Sequence, residues 1–329
     1  MKNPLVSVIT VSKNSARFIE DNILSVKCQV YHAIEHVVID GASTDSTVYI
    51  LRKYETIRWI SEPDTGVTDA FNKGLGMASG DIISFLNADD AYHNRDSIYR
   101  AVAAMEKMPD AGVIFGDCSF IDSEDKITGF FEGSRKPFTF EALLCSEYTI
   151  PMASAFIRRS AVKAIGDKLD TSLDFAPDWE LWVRIGLRFP IRYVPEIFGS
   201  VREYTASTQC SLRCATENPA KRRLILDSVF SDPKLPLEIR ALQPRAYAGT
   251  YLIEAFMLLN IDYKEMARKC TWKAFRLYAP YIFNTLPLSY LVRSFGGGGI
   301  VNCASAIQRK IYKRSLYLDA EKNIRWWFQ

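Results

Sequence analysis

What most constrains this chain is an alternation that runs through its first 120 residues. Short runs rich in Val and Ile (5–11, 35–40, 58–62, 81–86 and 111–116) are separated by stretches with helical spacing of apolar residues (16–26, 43–54, 67–77 and 95–107). Runs of that length and composition suit strands. In the first intervening stretch Phe18, Ile19, Ile23 and Val26 share one helical face. Strands alternating with amphipathic helices predict an α/β fold, a mostly parallel sheet flanked by helices.

Beyond residue 116 the pattern loosens. Residues 117–160 are expected as strands and loops crossing the sheet, 160–165 as a short helix closed by Gly166, 177–188 as a helix, and 191–194 as a last strand. After Glu217 long helical stretches follow at 219–230, 236–260 and 263–278. The boundary is expected near residue 215, between an α/β domain of residues 1–215 and a helical extension of residues 216–329.

Composition excludes several classes. A chain 48% hydrophobic and 24% charged is neither disordered nor collagen-like. The net charge of +3 hides an asymmetry: residues 264–329 carry 12 Lys and Arg against 3 Asp and Glu, while the rest carries 29 against 35. Such a basic tail attracts anionic partners. The uncharged stretch 277–292 is interrupted by Pro280 and Pro287 and stopped by Arg293, so it fits a segment lying on or partly in a membrane better than a span. The N-terminal apolar run is short for a signal peptide and reads as the first strand. Seven cysteines include one close pair, Cys210 and Cys214, with none of the three His near it, which favours reduced thiols in a cytoplasmic protein over a zinc site.

The chemistry concentrates where strands end. Successive strands close on Thr10-Val11-Ser12-Lys13-Asn14, Asp40-Gly41-Ala42-Ser43-Thr44-Asp45, Glu62-Pro63-Asp64-Thr65-Gly66 and Asn87-Ala88-Asp89-Asp90. Each alone would serve as a turn or helix cap. Four together suit ligand binding outside the carboxyl ends of an open sheet. The dinucleotide fingerprint, the P-loop and the nucleophile elbow are all absent. Adjacent Asp89 and Asp90 repel each other unless a cation or donor network intervenes; hard oxygen ligands suit Mg2+ or Mn2+ shared with substrate phosphates.

The order VSVITVSKN, VVIDGASTDST and SEPDTGVTDAFNKGLGMASGDIISFLNADD resembles family 2 glycosyltransferases of the glycosyltransferase-A fold over about the first 205 residues. The resemblance implies an inverting, metal-dependent, hexosyltransferase-type enzyme that uses a nucleotide-diphosphate sugar, usually a UDP-sugar. It implies that Thr10 and Ser12 line the nucleotide pocket and that Asp40 hydrogen-bonds the base. Asp69, Asn72 and Lys73 would form a polar helix face toward the donor. Asn87 stands where the DXD motif has its first Asp and would contact the ribose, leaving Asp89 as main metal ligand and Asp90 in support. Arg202 would approach the diphosphate. Asp178 aligns with the base that activates the acceptor, with Glu180 the alternative; an Asp at a helix start is also an ordinary cap.

The partners implied are a nucleotide-sugar donor and a saccharide or lipid-linked saccharide acceptor in polysaccharide biosynthesis. No nucleic-acid module accompanies the basic tail. Residues 300–329, with Arg309, Lys310, Lys313, Arg314, Lys322, Arg325 and Trp326-Trp327-Phe328, suit either an anionic membrane surface or packing on the body. The expected location is cytoplasmic, peripheral on the inner face of the membrane in the first case. The competing classes are a non-catalytic sugar-nucleotide-binding scaffold of the same fold and a nucleotidyltransferase, whose basic Gly-rich signature after the first strand is missing.

Overall fold

The computed structural model describes residues 3–131, 133, 137–203 and 211–295. These fall into two compact units, 3–138 with 150–203, and 139–149 with 211–295. The basic segment 300–329 and Cys210 lie outside the described residues.

The first unit opens with β1 (Val6–Ser12), α1 (Ile19–Lys27), β2 (Ile34–Asp40), α2 (Thr47–Leu51), β3 (Ile57–Ser61), α3 (Val67–Met77) and β4 (Ile82–Phe85). There follow β5 (Ala91–Tyr92), α4 (Ser97–Lys107), β6 (Val113–Ile121) and β7 (Ile127–Phe131). Helix α5 (Phe140–Leu144) belongs to the second unit. The first then resumes with β8 (Ala155–Arg158), α6 (Arg159–Ala164), α7 (Pro177–Gly186) and β9 (Ile191–Arg202).

The strands form one sheet in the order β3-β2-β1-β4-β8-β6-β9-β5, with β7 beside β6. β3, β2, β1 and β4 run parallel. The Val- and Ile-rich segments of β1, β2 and β4 are buried nearly throughout, as strands covered on both faces must be, while β3 at the edge is largely accessible. Beyond β4 the sheet is mixed: β8 is antiparallel to β4 and β6, β9 parallel to β6, and β5 antiparallel to β9. One core joins Val6, Val8, Ile82, Ile98, Val102, Ile114 and Phe156. A second gathers Ile19, Ile23, Val38, Ile50 and Leu51.

Several elements depart from the sequence reading for local reasons. The helix expected over 43–54 shrinks to Thr47–Leu51, because Ser43 turns back to Asp40 and Asp45 holds Thr47 and Ala16. The last strand extends to Arg202 because it continues along β6 past a register shift. The second unit holds α8 (Leu212–Ser231), α9 (Leu237–Arg240), α10 (Gln243–Asn260), α11 (Lys264–Leu277) and α12 (Thr285–Phe295). Pro219, expected as a helix start, lies inside α8, whose true cap is Ser211 accepting from the Cys214 N–H at 3.1 Å. Residue 215 thus falls within α8. The insertion 139–149 joins this unit through Glu147, which takes a two-pronged pair from Arg245 (2.7 and 2.6 Å) and the Tyr281 hydroxyl (2.7 Å). Among the described residues no helix is long and apolar enough to cross a membrane.

Candidate active site

The parallel register sets three polar residues abreast at the carboxyl ends of neighbouring strands: Ser12 opposite Asp40, and Asp40 opposite Ser61. Asp40 is fully buried and accepts from the Ser43 N–H (2.9 Å), the Ser43 hydroxyl and the Ser61 hydroxyl (2.6 Å). A carboxylate offers about four acceptor sites, so about one remains on Oδ1. Beside it the Ser12 hydroxyl is buried without a partner. Such an orphan is uncommon in a folded protein and fits a site completed by a ligand.

The loops after β1 and β2 interlock. The Asn14 side chain accepts from the Thr44 N–H (2.9 Å), and Asp45 accepts from the Ala16 N–H (3.1 Å) and the Thr47 N–H (2.9 Å). Against the cost of burial, the bonds from Thr47 and Ala16 hold the Asp45 carboxyl below its ordinary range. The Asp64 carboxylate packs directly on Gly41, leaving no room for a side chain there, and accepts from the Gly66 N–H at 3.2 Å. Gly66 has φ +146°, which side chains avoid, and the Asp174 carboxylate rests against it. Asp174 Oδ1 and the Thr68 hydroxyl are buried without partners. The sequence reading placed Asp64 at a strand end without a role and omitted Asp174; the glycines they abut were the available signal.

After β4 the chain makes a tight, heavily braced turn. Asn22 of α1 donates to the carbonyls of Asn87 (2.8 Å) and Asp90 (3.0 Å). Asn87 donates to Asp90 Oδ2 (3.0 Å), and the Arg202 N–H donates to Asp90 Oδ1 (3.1 Å). Burial, then the charge of Asp89, pushes the Asp90 carboxyl up to about 8. The Arg202 guanidinium donates to the carbonyls of Asp89 (3.0 Å) and Asp122 (2.7 Å) and pairs with Asp125 at 2.6 Å. Asp89 is half-buried on this turn.

Four of the residues expected at the ligand are held by protein partners in this structure. Asp90, expected as a supporting metal ligand, has both oxygens engaged and braces the turn. Arg202, expected at the diphosphate, is enclosed and braces the same turn. Thr10, expected to line the nucleotide pocket, is buried, donating to Asn22 Oδ1 (3.2 Å) and lying 2.9 Å from Nε2 of His36, whose pKa burial lowers to about 3. Asn72, expected toward the donor, is tied by its amide to Leu169, donating to the carbonyl (2.9 Å) and accepting from the N–H (2.8 Å).

Asp69 and Lys73 remain on the accessible side of α3. The Thr65 N–H, then the nearby Lys73 charge, lowers the Asp69 pKa. Lys73 donates to the Pro63 carbonyl (2.8 Å) and pairs with Glu62 (2.9 Å). Asp178 lies half-buried in the first turn of α7 behind Pro177, accepting from the Trp179 N–H at 2.7 Å. Glu180 is buried, paired with Arg184 at 2.6 Å through one oxygen while the other has no partner, and burial raises its pKa. Trp179 and Trp182 are core residues.

Among the described residues no cluster of three or more His, Cys, Asp or Glu could hold a metal. Asp89, half-buried on the same turn, is the candidate carboxylate for that role. The residues fit Mg2+ or Mn2+ that takes one carboxylate here and its other oxygens from substrate phosphates and water.

A parallel α/β half-sheet continued by mixed strands, with acidic strand ends, is the glycosyltransferase-A architecture. S. aureus TarS, solved with UDP-GlcNAc, shares this fold at a TM-score of 0.65 and 15% identity, over 93% of this chain and 92% of that one. Residues 7–166 match the family described as Glycosyl transferase family 2. An uncharacterized glycosyltransferase of Mycobacterium tuberculosis is 34% identical over 188 residues, 56% of this chain and 70% of the relative. A PGL/p-HBAD biosynthesis glycosyltransferase of Mycobacterium bovis is 26% identical over 211 residues, 62% of this chain and 79% of the relative. The chain belongs to glycosyl transferase family 2.

Proposed function

We propose that this glycosyltransferase moves a hexose from a nucleotide-diphosphate sugar, a UDP-sugar by preference, to a hydroxyl of a saccharide acceptor, with inversion at the anomeric carbon. The observation that carries the reading is the braced turn after β4: Asn22 and Arg202 fix its carbonyls, Asn87 and the Arg202 N–H fix Asp90, and it holds Asp89 at the carboxyl end of the strand. A rigid support of this kind is what electrostatic stabilisation of a leaving group requires.

Asp40 and Ser12 supply polar groups for the nucleoside, one through its remaining acceptor site and the other through its unpartnered hydroxyl. Asp69 and Lys73 face the donor from α3. Asp89 would hold the divalent cation together with the diphosphate, and the cation when bound neutralises charge on the departing nucleotide. Asp178 accepts the proton of the acceptor hydroxyl as that oxygen attacks the anomeric carbon from the face opposite the leaving group. One displacement inverts the centre.

The M. bovis relative's role in PGL/p-HBAD biosynthesis supports a glycoconjugate acceptor, and a lipid-linked saccharide at the cytoplasmic face of the membrane is the form we propose. Donor chemistry falls in the α/β part and acceptor or membrane contact in the helical part, divided at about residue 215.

The test is donor binding and slow hydrolysis across UDP-, GDP- and TDP-sugars with Mg2+, Mn2+ or chelator. The expected result is a metal-dependent thermal shift with one nucleotide class, about 2.7 kcal/mol of stabilisation at a hundred times the dissociation constant. Asp89→Ala should remove the metal-dependent part. A shift with no sugar nucleotide would overturn the reading.

A further inference from the structure

We propose that α11 and α12 of the second unit form a docking surface for an anionic lipid membrane. Residues 264–277 carry five Lys and Arg against one acid, and residues 278–295 add Arg293 and no acid. The inner side of α11 buries Ala267, Thr271, Ala274 and Phe275. Lys269, Trp272, Lys273 and Arg276 are exposed as a ridge on the other side at helical spacing, with Glu265 paired to Lys269 at 2.8 Å on the same face and Arg268 at its edge against α12. Arg276 is exposed on this face. A basic helical face bearing a Trp is suited to the headgroup region, where the ring sits at the interface and the cations meet lipid phosphates.

The apolar part continues from this ridge. Helix α12 buries Pro287, Tyr290 and Ser294, with Tyr290 packed against Phe256 at 5.9 Å. Yet Leu288, Val292 and Phe295, spaced along its other side, stay exposed. A helix apolar on both sides is normally enclosed on both. In the turn between the helices Phe283 is 90% exposed, and Phe295 is 64% exposed. The Arg268 guanidinium lies 3.9 Å from the centre of the Phe295 ring and donates to the Ser294 carbonyl at 2.9 Å, joining the basic and apolar parts. Because no helix among the described residues can span a bilayer, the surface fits contact at the interface, not insertion across it.

Charge decides among occupants. A second copy paired two-fold on this face would set one basic ridge against another. The chain's own residues 296–329 carry six Lys and Arg against two acids, so they too are repelled by the ridge. An anionic bilayer supplies both phosphates for the cations and an apolar edge for Phe283, Val292 and Phe295.

The experiment is flotation of the full-length chain with phosphatidylcholine vesicles, with or without phosphatidylglycerol, alongside three variants. The ridge variant is Lys269→Glu/Lys273→Glu/Arg276→Glu, the apolar variant is Phe283→Ser/Phe295→Ser, and the tail variant is Arg309→Ser/Lys310→Ser/Lys313→Ser/Arg314→Ser. The parent chain should float with phosphatidylglycerol and weaken as salt rises. The ridge variant should bind roughly a hundredfold more weakly, and the apolar variant about tenfold more weakly. Both should keep the parent's circular dichroism and donor hydrolysis, since every substituted side chain is exposed and belongs to the second unit. Equal flotation without phosphatidylglycerol, unchanged binding by the ridge variant, loss confined to the tail variant, or a dimer that Phe283→Ser abolishes would each overturn the proposal.

Discussion

The Arg202 guanidinium and the Asp125 carboxylate meet at 2.6 Å with both side chains closed to solvent. The pair joins the end of β9 to the β6–β7 turn, where Asp125 has φ +62°. Through its other nitrogens Arg202 holds the carbonyls of Asp89 and Asp122, and its plane covers the Phe18 ring at 4.3 Å. The strand-end turn that presents Asp89 is thus tied to a hairpin more than thirty residues further along the chain.

Asp125→Asn should destabilise the protein by about 3 kcal/mol, because it leaves a buried guanidinium without its counter-charge. Asn tolerates the left-handed backbone, so the loss is electrostatic. Chemical denaturation of parent and variant measures it. Arg202→Lys should cost a similar amount, since an ammonium cannot reproduce the planar fork.

At Gly66 the backbone and its neighbour both forbid a side chain. Gly66→Ala should cost about 1–3 kcal/mol from its φ of +146° alone, with a further steric cost from the Asp174 carboxylate. Adding Asp174→Ala should relieve the steric part and leave the backbone part. Thermal unfolding of the two single variants and the double variant gives the coupling between them.

Glu180 gives stability a pH dependence of known sign. Its folded pKa is raised, chiefly by burial, so the folded state holds the proton more tightly than the unfolded chain does. Its contribution is full below its ordinary pKa of 4.5 and is lost as pH rises through the folded value. Glu180→Gln removes that titration. The melting temperature of the variant relative to the parent should therefore climb as pH rises above 4.5. A difference that stays constant as pH rises from 4.5 would contradict the raised pKa.

Much of the parallel half of the fold was legible because its signal is local. Leu51, Val38 and Ile83 sit in runs whose period and β-branching fix the element, and the polar strand ends of Ser12, Asp40 and Asn87 follow in order. The braces were hidden because they are long-range. Nothing near Arg202 in sequence points to Asp125, 77 positions earlier, or near Asn72 to Leu169, 97 positions later. A family motif marks such residues as part of a site without separating those that touch a ligand from those that hold the loops. The same limit hid the 139–149 insertion, whose attachment runs through Glu147 to Arg245 and Tyr281.

The proposed role of Asp178 is to take the acceptor proton in a metal-assisted transfer. The most direct test is Asp178→Asn, with donor affinity measured by calorimetry and turnover measured in parallel on the same preparation. Donor affinity should stay within a few-fold of the parent while turnover falls by about 10²–10⁴. Unchanged turnover, or donor binding lost together with turnover, would contradict that role and leave Asp178 a helix-start residue.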